Sequence, residues 1–397
     1  MRRSTLGAGA AVAAAIIGIG TAPTACADPV ESSPPLEVTT VIDGLEKPWD
    51  VVVAPDGAVL TGERAGRFVV KRPDNSVGEL SADLSDLYAQ GETGLMGIAL
   101  ATDFATSRTV FTCQGHRGSD NGSLGTGSVD TGSLGSAAAG TDIRVVSWTV
   151  DPGWTTLTRT GDVLTGIPTG PNGRHGGCRI LAHPDGTLYI GTGDTASPTV
   201  PQDPNSLGGK VLHVDTDGSP AAGNPFPNSP VFTLGHRNVQ GLALQPGSGR
   251  IYEIEQGTSR DDEVNLLAAG NNYGYRPDRA PFVYDESVPM TDPDRVPGAV
   301  AAVWSSGAPT LATPGGTFVS GPAWGEWDGA LAVTTQQGRK MLLLKLSADG
   351  TAVTATDSVL TDQGRLRSAT RMPDGSLLVT TDNGSGDKVL RVAPASS

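Results

Sequence analysis

Short apolar runs alternate with tight polar turns along most of the chain, and one arrangement of apolar strand, turn and apolar strand recurs six times after residue 40. The copies span residues 49–63, 94–113, 178–194, 239–257, 321–338 and 367–384. Pro55-Asp-Gly57, Pro184-Asp-Gly186 and Pro373-Asp-Gly375 turn the first, third and sixth; Pro246-Gly-Ser-Gly249 turns the fourth and Trp327-Asp-Gly329 the fifth. A Gly-containing turn between two apolar runs is a hairpin signal, and no long stretch keeps a helical period with caps. Further strands are expected at 66–71, 143–148 and 209–214, and residues 38–42 and 388–392 are placed to complete one unit between the two termini. Two strong and two weaker strands per unit, six times over, predict an all-β chain folded as a six-bladed β-propeller over residues 38–394. A pair of β-sandwich domains is the alternative, but it gives no reason for one hairpin to recur.

Two intervals break the rhythm. Residues 115–141 are nearly all Gly, Ser, Ala, Asp and Thr, too little apolar surface to fold alone. Residues 271–305 carry Tyr273, Tyr275, Phe282, Tyr284 and Trp304 in a chain only 5% aromatic, which predicts a loop packed over a face as a site wall.

Composition agrees with this picture. With 54 Gly, 29 Pro and 18% charged residues, the chain favours strands and turns. A formal net charge of −14 argues against binding nucleic acid or an anionic membrane by charge. Residues 1–27 read as an export signal, with Arg2-Arg3 before an apolar run. Ala25-Cys26-Ala27 offers either a cleavage site or a lipid-anchored Cys26, and residues 28–37 read as a linker. Cys113 and Cys178 remain, as a disulfide or as two buried thiols.

The candidate chemistry sits at strand ends. Arg174-His175-Gly-Gly-Cys-Arg179 precedes the third unit, and Asp194 ends its second strand. Taken alone, His175 reads first as a solvated turn residue at a strand mouth. Gly235-His-Arg-Asn-Val-Gln-Gly241 opens the fourth unit, Glu255-Gln-Gly257 and Asp261-Asp-Glu263 close its hairpin, and Gly364-Arg-Leu-Arg367 opens the sixth. Arg237 and Asn238 also fit strand-end caps, Arg365 and Arg367 a solvated face, and Asp261-Asp-Glu263 a solvated acidic turn.

Together with Leu45-Glu-Lys-Pro-Trp49 and Asn272-Tyr-Gly274, these motifs stand in the order found in the soluble quinoprotein sugar dehydrogenases, and residues 45–394 resemble that glucose/sorbosone and aldose dehydrogenase family. The resemblance implies an enzyme that oxidises an aldose at its anomeric carbon with pyrroloquinoline quinone (PQQ) and calcium, and passes electrons to an external acceptor. It implies His175 as the base with Asp194 orienting it, a role that imidazole chemistry suits near neutral pH. It implies Arg237 facing the charge that develops on the quinone, and Asn238, Thr310, Arg365 and Arg367 as cofactor contacts. The carbonyls of Gly257 and Thr258 match ligands of a cofactor-bridging calcium, and Glu263 matches a ligand of a separate structural calcium.

The pattern departs in three places. Glu92 stands where the family has Gln, Gln337 where the glucose-oxidising members have a cofactor-binding Lys, and Thr258 where a Pro is usual. The first two shift the cofactor pocket toward negative charge. A non-catalytic exported propeller binding carbohydrate or protein at the same mouth is the competing reading. A metal-dependent lactonase-like hydrolase is a third, against which the His/Arg/Arg set argues.

Overall fold

The computed structural model describes Met1 and residues 32–118, 140–280 and 283–395. The chain divides into Met1–Glu31 and Ser32–Ser397, and every described strand belongs to the second unit. The expected export signal and Cys26 lie outside the described residues, as do residues 119–139 of the Gly/Ser-rich insertion.

Among the described residues the fold is nearly all β, with one four-residue α-helix, Phe104–Ser107, and three short 3-10 segments. The strands form six four-stranded groups and one two-stranded ribbon. Two of the groups merge into an eight-stranded sheet through a parallel contact that pairs Ser81 with Thr156. The first strands of the groups are Pro48–Val53, Leu95–Leu100, Arg179–Ala182, Val239–Leu244, Gly315–Phe318 and Leu366–Arg371. They touch one another in that order, and the last touches the first.

The repeated turn explains why the hairpins form where they do. In the first, third and sixth hairpins the Gly N–H donates three residues back, to Ala54 O, His183 O and Met372 O at 2.9, 2.9 and 3.1 Å. The intervening Pro presets φ, and the Asp carboxylate accepts the N–H two residues on, from Ala58, Thr187 and Ser376. Gly57, Gly186 and Gly375 take φ of 84–95°, which a side chain would strain.

The second strands are almost entirely buried, as in Leu188–Gly191 and Leu377–Thr381, because both faces of each sheet meet a neighbouring group. The apolar core therefore lies between adjacent sheets: Met96, Phe111 and Ile143 of one pack with Ile180, Leu188 and Ile190 of the next. Outer strands alternate, as in Val353–Val359.

The terminal strands pair as expected, Val38 opposite Val392, so Leu36–Leu45 joins the sheet made by the last three strands. The fifth unit differs from its sequence reading. Its first strand is Gly315–Phe318, and Pro322–Trp327 forms 3-10 turns rather than a strand before the second strand, Leu331–Thr334. Gly321-Pro322 stops the strand pairing there, and Trp324 and Trp327 fold inward to fill core space. Cys113 and Cys178 are joined in a disulfide that ties the strand Thr109–His116 to the segment leading into the third group.

Candidate active site

The segment before Arg179–Ala182 carries His175 inward. His175 is 3% exposed and sits at φ 51°, an unusual backbone for a residue with a side chain. Its surroundings hold it there. The His175 N–H donates to Glu92 Oε2 at 2.9 Å, and the next strand end presents Gly193, where an added Cβ would meet His175 O at 1.8 Å. The glycine beside Asp194 thus lets the two segments close onto each other.

That approach sets His175 Nδ1 2.7 Å from Asp194 Oδ1. Asp194 is fully buried, and its carboxylate also accepts the Ala196 N–H at 2.8 Å and the Tyr284 hydroxyl at 2.7 Å. Burial, and after it the Asp194 charge, push the Tyr284 phenol far above its ordinary range, so it remains an O–H donor. Tyr284 comes from the aromatic insertion and lies 6.2 Å, ring to ring, from His175. That segment is therefore a wall of the site. The sequence marked Tyr284 only as one of the aromatics of this segment, without its role beside Asp194.

Arg237 and Asn238 enter from the start of the fourth group. Their N–H groups donate to Glu255 Oε2 at 2.7 and 3.3 Å, and Asn238 Oδ1 accepts the Gly177 N–H at 3.1 Å. Arg237 Nη1 donates to Gln256 O, and Nη2 lies 3.5 Å from Glu286 Oε1, which also pairs with Arg174. Arg237 Nε is buried without a partner. A fixed cation with an unspent donor is suited to an anion.

A cavity of about 410 Å³ opens beside these residues, lined by Lys47, Trp49, Arg64, Glu92, Gln240, Gln256, Gln336, Arg365, Arg367, Asp382, Asn383 and Gly384. Glu92, through the His175 N–H, and Gln256, through Arg237, connect it to the dyad. Trp49 is 2% exposed, with the guanidinium carbons of Arg179 and Arg367 4.5 and 5.5 Å from its ring. The Arg179–Asp50 ion pair continues this layer toward a separate central cavity. Arg365 and Arg367 both face the pocket, while Leu366 between them packs into the core. They differ in availability: Arg367 donates twice to Asp382 Oδ2 and once to Gln240 Oε1, whereas Arg365 gives Nε to Asp382 O. Gln336 lines the pocket and donates to Asp382, whereas Gln337 is exposed and outside the lining. In the sequence, Arg64 and Asp382 carry no assigned role and Lys47 stands only inside the Leu45–Trp49 motif, although Asp382 directly follows a second strand.

The acidic turn is not solvated. Asp262 is fully buried and accepts from Gly257 N, Leu311 N, Ala312 N and the Thr310 hydroxyl, tying the 257–258 turn to Thr310. The Thr258 hydroxyl donates to Glu286 O. Glu263 lies in a second buried cluster with Glu253, Glu255, Asn265 and His236. Burial, and then the Glu255 charge, push Glu263 up to about 8 and Glu253 well above its ordinary value.

Residues 45–391 match the family model for glucose/sorbosone dehydrogenase. The aldose sugar dehydrogenase of Escherichia coli is 28% identical over 369 residues, covering 90% of this chain and 93% of that protein. A putative oxidoreductase (glucose dehydrogenase) from Thermus thermophilus is 32% identical in structural alignment, with a TM-score of 0.73 over 90% of this chain and all of that one. The PQQ-bound aldose sugar dehydrogenase of Streptomyces coelicolor is 29% identical, with a TM-score of 0.71 over 91% and 99%. With the motifs around His175 and Arg237 folded onto one site and the match running through all six strand groups, the chain belongs to the glucose/sorbosone dehydrogenase family of oxidoreductases.

Proposed function

We propose that the protein is an exported quinoprotein that oxidises the anomeric carbon of aldoses to lactones with PQQ and calcium, on a closed six-bladed propeller, and gives its electrons to an external acceptor. The ring of contacts between the six first strands supports closure. The disulfide supports an oxidising compartment, and no helix among the described residues is long and apolar enough to cross a membrane. The observation that carries the functional reading is the buried His175–Asp194 pair beside Arg237, at the edge of a pocket lined by four cationic side chains and two carboxylates.

The residues present suit both groups. PQQ carries three carboxylates, and the pocket offers Lys47, Arg64 and Arg365, with the orphaned Arg237 Nε close by. The turn at Gly257 winds so tightly that an added Cβ would meet Arg260 O at 2.0 Å and Asp261 O at 2.7 Å, gathering the backbone oxygens a hard cation prefers. The Glu263 cluster contains two orphaned buried acceptors, Glu253 Oε1 and Asn265 Oδ1, and suits a second such ion.

When bound, PQQ supplies the quinone that accepts the hydride from the sugar. The chain's own part is proton handling and charge placement. With Nδ1 bonded to Asp194, His175 keeps a lone pair on Nε2 to take the anomeric hydroxyl proton, and Asp194 stabilises the imidazolium. Arg237 presents a fixed positive charge, its main chain clamped by Glu255. Tyr284 shares the Asp194 charge. Tyr284→Phe is therefore expected to lower kcat about tenfold, because Asp194 loses a hydrogen-bond donor and holds the imidazole less firmly in place. Steady-state kinetics on aldoses, read beside the melting temperature of the variant, check it.

The second ion site has a pH signature. Glu263 in the folded protein stands at about 8 against an ordinary 4.5. Its contribution to stability is thus full below the lower value and lost as pH rises through the higher one. Ion-free protein is expected to lose thermal stability between those two pH values, and Ca²⁺ to flatten that slope. Melting curves with chelator and with Ca²⁺ across that window test it.

The direct test of the proposed activity is reconstitution with PQQ and Ca²⁺, followed by dye reduction with a panel of aldoses. Bound quinone and sugar-dependent reduction are expected; quinone binding with no reduction on any aldose would leave only the binding-protein reading.

A further inference from the structure

Most cations around the site already have partners: Arg367 holds Asp382 and Gln240, Arg179 holds Asp50 and Gln240 O, and Arg237 holds Gln256 O and nears Glu286. Two do not. Among the described residues, Arg64 and Lys47 line the pocket with no ion pair and no hydrogen bond from either side-chain head. Both adjoin the first group, Lys47 just before the strand Pro48–Val53 and Arg64 just after Val59–Glu63. The Arg64 N–H donates to Lys47 O at 3.2 Å, so the two side chains leave from facing residues. Lys47 sits at φ 50° with its N–H on Asp387 Oδ2, and Arg64 O accepts the Leu95 N–H at 3.0 Å, which pins the pair between two sheets.

The half-buried Arg64 guanidinium therefore carries an unneutralised charge. Burial first, and then the charge of Arg367, oppose its ionisation, with Asp382 and Glu92 acting the other way. A group in that position gains from any anion that enters. The pocket lacks a lysine on the Leu331–Thr334 side, where the neutral Gln336 lies against Asp382.

We infer that Arg64, with Lys47 beside it, is a carboxylate-gripping subsite that takes one acid group of a polycarboxylate ligand from the first sheet, supplying the positive charge that Gln336 does not. Naming PQQ as that ligand rests on the function proposed above; the subsite itself rests on the two unpaired cations.

The test measures binding rather than turnover. Wild-type protein with Ca²⁺ is titrated by equilibrium dialysis with PQQ and, separately, with trimesate, a tricarboxylate with no redox chemistry. Arg64→Met is expected to weaken both by about ten- to a hundredfold, the worth of a charge-assisted hydrogen bond. It should also flatten the salt dependence of binding, and Arg64→Lys should recover part of each. Arg64→Gln, read in parallel with unliganded melting curves, separates lost affinity from lost fold. Unchanged affinity in folded Arg64→Met and Arg64→Gln overturns the subsite and leaves the quinoprotein reading intact. Trimesate binding that depends on Arg64, without any PQQ binding, keeps the subsite and overturns that reading. A wild type that binds neither overturns both.

Discussion

His175→Ala is expected to lower kcat by about 10²- to 10⁴-fold, the range for removing a positioned general base, while the protein still takes up PQQ. The pocket proposed to hold the quinone carboxylates is lined by Lys47, Arg64, Arg365 and Arg367, none of which bonds to the imidazole. Loss of the ring leaves Asp194 buried with only the Ala196 N–H and the Tyr284 hydroxyl, so part of the effect is structural. His175→Asn, which restores a polar group toward Asp194 but no basic nitrogen, isolates the chemical part. It should recover melting temperature without recovering kcat. Turnover within about threefold of wild type in either variant would remove His175 from the base role.

The second large effect concerns the disulfide. Replacing both Cys113 and Cys178 by alanine is expected to cost about 4 kcal/mol on the chain-entropy account, since the bridge spans 65 residues of sequence. For a chain of this size that corresponds to a fall in melting temperature on the order of 5–10 °C. Urea unfolding of wild type and double variant, each under non-reducing conditions, measures it. The site should feel the loss before the fold does. Cys178 is separated from His175 only by two glycines, and Cys113 anchors it to a strand of the neighbouring group. Activity of the double variant is therefore expected to fall at temperatures where its circular dichroism is still native. Coincident loss of the two signals would mean that the bridge serves global stability alone.

How much of the fold and site was legible in the sequence depends on whether the signal was local. The Pro-Asp-Gly hairpins were legible because Pro, Asp and Gly each do one defined thing in that turn. The fifth hairpin misled because the glycines at 321 and 329 bound a 3-10 segment, not a strand, and the buried tryptophans within it imitate an apolar run. At the site, His175 and Asp194 were readable as ends of successive strands brought together by their glycines. Gln336 and Gln337 were not separable, since adjacent residues at a strand end face opposite ways and only the packing decides which one turns inward. Arg64 was missed because a charge in Glu63-Arg-Ala-Gly66 reads as a solvated turn. Only the tertiary fold sets it against residues some three hundred positions away.

The sheet that unites Leu36–Leu45 with Asp387–Pro394 has a bearing on biosynthesis. The strand that receives Leu36–Leu45 is the last of the described strands to be made, so the first strand waits unpaired while the five intervening groups can already form. Pairing of the two ends of the described fold is thereby a late step, and the groups between them must hold their own shape until it happens.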